Sequence, residues 1–125
     1  MVRKIVLAAT MVLILLTAGC GETYQHLTHQ QALEIMQSDP NALILDVRRQ
    51  DEYDKKHIAR AVLLPIEELR QGNFEAKLPD KNQQILIYCW TGRRAEDAAD
   101  ILAKAGYKHV YDFGGLVDWT GPTEE

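Results

Sequence analysis

An α/β fold is predicted, with a mostly parallel central sheet of about five strands flanked by helices. Three observations predict it. Short runs of strand-forming residues recur at Ala42–Asp46, Ala61–Leu64, Ile85–Tyr88 and His109–Asp112, several of them apolar throughout, as strands covered on both faces are. Helical patterns lie between them, the clearest being Ala95, Ala98, Ala99, Leu102 and Ala105. The chain has 125 residues, 46% apolar and 26% charged, which is room for one ordinary globular domain.

In chain order, Thr28 is the expected N-cap of a helix carrying Ala32, Leu33, Ile35 and Met36, closed by Ser38-Asp39-Pro40. The strand at Ala42–Asp46 follows, then a charged helical turn over Gln50–Lys56 and the run Ala61–Leu64, stopped by Pro65. Ile66–Gly72 reads as a short helix and Leu78–Gln83 as a polar connection. The strand at Ile85–Tyr88 leads into the helix Arg94–Ala105, and the strand His109–Asp112 into a closing turn at Gly114-Gly115. The net charge of −4, without a basic stripe, argues against a nucleic-acid partner.

The start of the chain differs from the rest. Arg3 and Lys4 precede an apolar run from Ile5 to Ala18, which at about 14 residues is shorter than the ~20 a membrane-spanning helix needs. Residues 1–19 therefore read as a secretory signal peptide, residues 20–23 as a tether and 24–125 as the domain. Leu16-Thr17-Ala18-Gly19-Cys20 resembles the lipobox of bacterial lipoproteins, which implies lipidation of Cys20 and a membrane tether; Thr17 departs from the usual leucine. Losing Arg3 and Lys4 takes the net charge from −4 to −6, so adhesion to anionic lipid is not expected. The expected location is periplasmic or on the cell surface. An uncleaved anchor and an ordinary cleaved signal remain the alternatives. With Cys20 lipidated, Cys89 has no partner in an oxidising compartment, where unpaired thiols are a liability unless their chemistry is used.

Cys89 stands at the carboxyl end of a strand and just before a helix, where α/β sheets place their sites. A helix N-terminus and adjacent cations favour thiolate. Here the unpaired helix amides, Arg93 and Arg94 supply both, and Gly92 lets successive amides of Trp90 to Ala95 converge into an anion-binding nest. Cysteine phosphatases use Cys-x5-Arg. This chain has Cys-x4-Arg, counting from Cys89 to Arg94, a tighter cup suited to one extra sulfur atom rather than a phosphoryl group.

With these residues in place, the sequence from Tyr24 to Pro122 resembles the rhodanese sulfurtransferases. Ile44-Leu45-Asp46-Val47-Arg48 with Glu52-Tyr53, then His57-Ile58 with Ala61 and Pro65, look like two of that family's segments. Tyr88 to Ala95 looks like its active loop, and Gly114-Gly115 with Trp119 and Pro122 like its C-terminal signature. Lys56 and Ala59-Arg60 depart from its usual glycine and proline-glycine. The resemblance implies a three-layer fold and a Cys89 persulfide that receives sulfur from a small anionic donor such as thiosulfate. It passes that sulfur to cyanide or a thiol, with no metal or organic cofactor. A non-catalytic sulfur carrier or redox sensor, and more remotely a phosphatase or arsenate reductase, are the alternatives.

Around Cys89, Arg93 is expected either to meet the substrate anion or to be a solvated charge. Arg94 is expected to brace the loop against Asp46 or another carboxylate, with Asp46 supporting it from the neighbouring strand end. Trp90 is expected at the rim, and Thr91 to offer its hydroxyl to the cup or to cap the helix. His57 reads as structural rather than as a base. Arg48 and Glu52 have the i, i+4 spacing of a local pair. His26, His29 and His109 form no metal-ligand pattern.

Overall fold

The computed structural model describes residues 23–125; the signal segment, Cys20 and most of the tether lie outside the described residues. A five-stranded, all-parallel sheet forms the middle layer. Its strands are β1 (Gln25–His26), β2 (Leu43–Asp46), β4 (Val62–Leu63), β5 (Gln84–Cys89) and β6 (His109–Gly115), in the order β1-β6-β5-β2-β4. A second, two-stranded antiparallel sheet pairs β3 (His57–Ile58) with β7 (Thr123–Glu124). The helices are α1 (His29–Ser38), α2 (Gln50–Lys55), α3 (Ile66–Arg70) and α4 (Arg93–Lys104), with a 3-10 turn at Leu116–Asp118.

The sheet is apolar on both faces because successive strand residues point to opposite sides. On β5, Ile85, Ile87 and Cys89 enter one core with Leu45, Val47, Leu69, Leu102 and the alanines of α4; Leu86 and Tyr88 enter the other with Ala32, Ile44, Ile58 and Phe113. Ala95, Ala98, Ala99 and Ala103 of α4 are all buried, so small side chains make up most of the face this helix presents. Its amides start directly behind the β5 carboxyl end. Helix α1 begins as anticipated: Thr28 accepts from the Gln31 amide, and the Gln31 side chain accepts from the Thr28 amide.

Four features depart from the sequence reading. The Gly114-Gly115 pair is not a closing turn but the end of β6, reaching alongside Cys89. Between the pairs Ile87–Asp112 and Cys89–Gly115 the register shifts by one residue on β6, an irregularity that re-aims the strand end. Strand β1, at the start of the expected domain, and the β3–β7 sheet were not anticipated. The helix after Cys89 has Gly92 as N-cap, with no side-chain cap, so Thr91 does not cap it.

Candidate active site

Cys89 ends β5 and is 1% exposed. The Gly92 amide donates to Cys89 Sγ at 3.0 Å, and Gly92 adopts φ of 112°, a left-handed conformation that glycine tolerates best. The first bond into α4 runs from the Glu96 amide to the Gly92 carbonyl at 3.0 Å. The amides of Arg93, Arg94 and Ala95 come before it and have no intrahelical acceptor. The loop therefore sets one donor and the positive end of a helix dipole beside the sulfur. Its outer side is fastened by the Val117 amide donating to the Trp90 carbonyl at 3.1 Å. Trp90 is 43% exposed and lies at the rim, as anticipated, and Thr91 and Arg93 are exposed as well.

Gly115 lets the strand approach this loop. A Cβ there would stand 2.0 Å from the Trp90 carbonyl oxygen and 2.7 Å from Thr91 Cα. Its φ of −133° is open to any residue, so proximity and not backbone conformation demands glycine.

Arg94 does not reach Asp46. It makes a paired contact with Glu52, Nη1 to Oε1 at 2.9 Å and Nη2 to Oε2 at 3.2 Å. Glu52 also accepts from the Arg49 amide at 3.0 Å, so its carboxylate ties the start of α2 to the start of α4. Arg94 is raised above its ordinary value, the Glu52 hydrogen bond leading, with Cys89 among the lesser contributors, which places the guanidinium in the neighbourhood of the sulfur. The anticipated Arg48–Glu52 pair is absent, since Arg48 precedes α2 and does not share its helical geometry.

Instead Arg48 turns inward onto Asp46, with Nη2 to Oδ2 at 2.8 Å and Nε to Oδ1 at 3.0 Å. Both side chains are almost fully buried. Tyr88 donates to Asp46 Oδ2 at 2.6 Å and accepts from the Ile58 amide at 3.0 Å; burial first, then the Asp46 charge, raises its hydroxyl, which keeps its proton. Arg48 also donates to the Lys56 carbonyl at 2.7 Å, closing a buried knot beneath α2. Asp46 thus holds the platform on which Glu52 stands and does not touch the loop itself. Sequence reasoning missed Glu52 and Gly115 as site-forming residues. The only available signal was that each lies in a segment carrying the family resemblance. His57 is structural, as anticipated: its ring stacks on Tyr53 at 3.7 Å and Nδ1 meets the Tyr53 carbonyl at 2.8 Å.

Residues 28–122 match the sequence profile of the rhodanese-like domain. The chain belongs to the rhodanese-like family. It is 36% identical over 78 residues to the thiosulfate sulfurtransferase PspE of Escherichia coli, covering 62% of this chain and 74% of that one. To the thiosulfate sulfurtransferase GlpE of Coxiella burnetii it is 34% identical over 97 residues, covering 77% and 87%. Among solved structures, a rhodanese with anions from E. coli superposes with a TM-score of 0.61 at 33% identity, covering 67% of this chain and 98% of that one. A rhodanese-like domain from Anabaena superposes at 0.70 with 29% identity, covering 82% and 80%.

In this rhodanese-like loop the Glu52–Arg94 brace has a pH signature. The Arg94 hydrogen bond leads in holding the Glu52 carboxyl down to about 2 from an ordinary 4.5. A depressed carboxylate contributes stability above its unfolded value that is lost as pH falls toward its folded one. The full shift corresponds to about 3 kcal/mol, and screening of two partly exposed partners reduces it to roughly 1–2 kcal/mol. Glu52→Gln is therefore expected to cost that much at pH 7. Its deficit should shrink between pH 4.5 and 2, as urea unfolding at several pH values would read. A constant deficit across that window would refute the assignment.

Proposed function

We propose that this rhodanese-like protein is a sulfurtransferase that carries a sulfane sulfur on Cys89, taking it from thiosulfate or a similar anionic donor and giving it to a thiol or cyanide. The observation that carries this reading is the buried Cys89 sulfur at the start of α4, with the Gly92 N–H donating to Sγ at 3.0 Å. In the first half-reaction the Cys89 thiolate attacks the outer sulfur of thiosulfate; the S–S bond to sulfite breaks and sulfite leaves with the electron pair. In the second, an acceptor attacks the same sulfur and the pair returns to Sγ. The amides from Trp90 to Ala95 stabilise the charged persulfide between the two steps. The brace from Glu52 keeps the Arg94 charge beside the sulfur, and exposed Arg93 is free to meet the incoming anion. A covalent intermediate shared by two half-reactions predicts ping-pong kinetics.

The test is intact mass after incubation with thiosulfate, then after cyanide. The expected result is a gain of one sulfur that cyanide removes as thiocyanate. An unmodified Cys89 with no thiocyanate would overturn the reading.

A second reading is a sulfur carrier that loads without multiple turnover. It is favoured by 42% identity over 88 residues to the putative sulfur carrier protein YrkF of Bacillus subtilis, of which this chain covers 46%. Stoichiometric loading without sustained thiocyanate release would select it. The proposal extends to location. Arg3, Lys4, the apolar run to Ala18 and the Ala18-Gly19-Cys20 sequence support an exported domain tethered through a lipid on Cys20.

A further inference from the structure

Beside the active loop lies a second feature that the transfer of sulfur from Cys89 does not by itself explain. A cleft of about 270 Å³ is lined by Arg48, Glu52, Lys55, Lys56, Trp90 and Leu116. Trp90 directly follows the cysteine, and Glu52 is the residue that grips Arg94. The cleft therefore opens against the same loop. Arg48 is consumed by Asp46, and Glu52 by Arg94. That leaves Trp90, Leu116, Lys55 and Lys56 as lining residues whose side chains are not already engaged in an ion pair.

The charges there are unbalanced. Lys77, Lys81 and Lys104 are neutralised by Glu68, Glu75 and Asp100. Among the described residues Lys55, Lys56 and Arg93 have no carboxylate partner, and all three flank the active loop. Arg60 and Lys108 are likewise unpartnered but lie elsewhere, Arg60 in the turn after β3 and Lys108 at the amino end of β6. A chain of net charge −4 thus keeps unpaired cations in the clefts that border its active loop. Fixed charge at a cleft selects and steers a ligand of opposite sign.

We propose that this cleft is the acceptor subsite, and that it takes small thiols bearing carboxylates, held by Lys55 and Lys56 with their carbon chain against Trp90. The proposal rests on the sulfurtransferase reading and adds the acceptor's chemical class. In the step concerned, the acceptor thiolate attacks the outer sulfur of the Cys89 persulfide. A new S–S bond forms on the acceptor, the old one breaks, and the electron pair returns to Cys89 Sγ as thiolate. The product leaves as a persulfide, whose proton exchanges with solvent. No external oxidant or reductant is required.

The experiment compares mercaptosuccinate, 2-mercaptoethanol and cysteamine as acceptors at equal thiolate concentration, in the wild type, Lys55→Ala/Lys56→Ala and the distant Lys108→Ala. Mercaptosuccinate is expected to lead, and the double variant to lose about 5- to 20-fold in its kcat/KM, the scale of two exposed charge contacts. 2-Mercaptoethanol, single-turnover loading from thiosulfate and the Lys108→Ala variant should be unaffected. Normal loading with no preference for the dicarboxylate, or a preference that survives the double variant, would overturn the subsite while leaving the sulfurtransferase reading intact.

Binding is read separately from turnover, through Trp90 fluorescence in a Trp119→Phe background with S-methylmercaptosuccinate as an unreactive probe. A saturable change abolished in the double variant supports the subsite even if thiosulfate fails to load Cys89. Absence of such a change overturns it.

Discussion

Cys89→Ser should lose at least about 10⁴-fold in sulfur transfer, the scale on which removal of a covalent nucleophile acts. The substitution is nearly isosteric, and the Gly92 amide that donates to Sγ can donate to a serine oxygen in the same place. Folding is therefore expected to survive, with thermal midpoint within a few degrees of wild type. Chemistry is not. A serine hydroxyl is not ionised near neutral pH, and it lacks the sulfur that forms and releases a sulfane bond reversibly. Thiocyanate production and intact mass read the outcome together. Activity above about one per cent of wild type in a folded variant would place the nucleophile elsewhere.

Gly115→Ala is expected to be the most damaging single methyl group in the described chain. The added carbon would lie 2.0 Å from the Trp90 carbonyl oxygen, 2.6 Å from its carbon and 2.7 Å from Thr91 Cα. All three are backbone atoms, so no rotamer change relieves the contact; either the loop or the end of β6 must move. That movement would break the Val117–Trp90 bond and displace the Gly92 amide that donates to Cys89. A cost of roughly 2–4 kcal/mol follows, or about 10–25 °C in Tm for a domain of this size. Activity should fall further than stability at temperatures where the variant is folded. Gly114→Ala supplies the contrast. Its φ of 95° makes alanine strained, but its nearest neighbour is the His29 ring at 3.6 Å, so the loop should remain in place. Equal effects of the two substitutions on turnover would contradict the steric argument.

Much of the site was legible because its signals are local. Ile85–Tyr88, Gly92 and the alanine spacing of α4 announce a strand, a tight loop and a helix in succession, and that succession alone puts Cys89 at a helix N-terminus. The rim position of Trp90 was readable in the same way, from the polar Thr91-Gly92 turn that follows it, whereas the structural role of His57 came with the family resemblance. The partner of Arg94 was not. Its choice of Glu52 over Asp46 follows from β2 lying beside β5, which brings the start of α2 over the start of α4. The Arg48–Glu52 spacing misled for a related reason. An i, i+4 interval makes neighbours only inside a helix, and α2 begins after Arg48.

By itself, then, the sequence determined the α/β class, the order of the major elements and the place of the thiol, because hydrophobic periodicity, caps and glycine act within a few residues of where they are written. The tertiary structure alone decided what surrounds the thiol. The register shift on β6 brings Gly115 against Trp90, the two-residue β3 finds β7, and Asp46, Arg48 and Tyr88 lock into a buried knot. Each of these joins segments remote in the chain. Their contact energies depend on distances that exist only after the sheet has assembled.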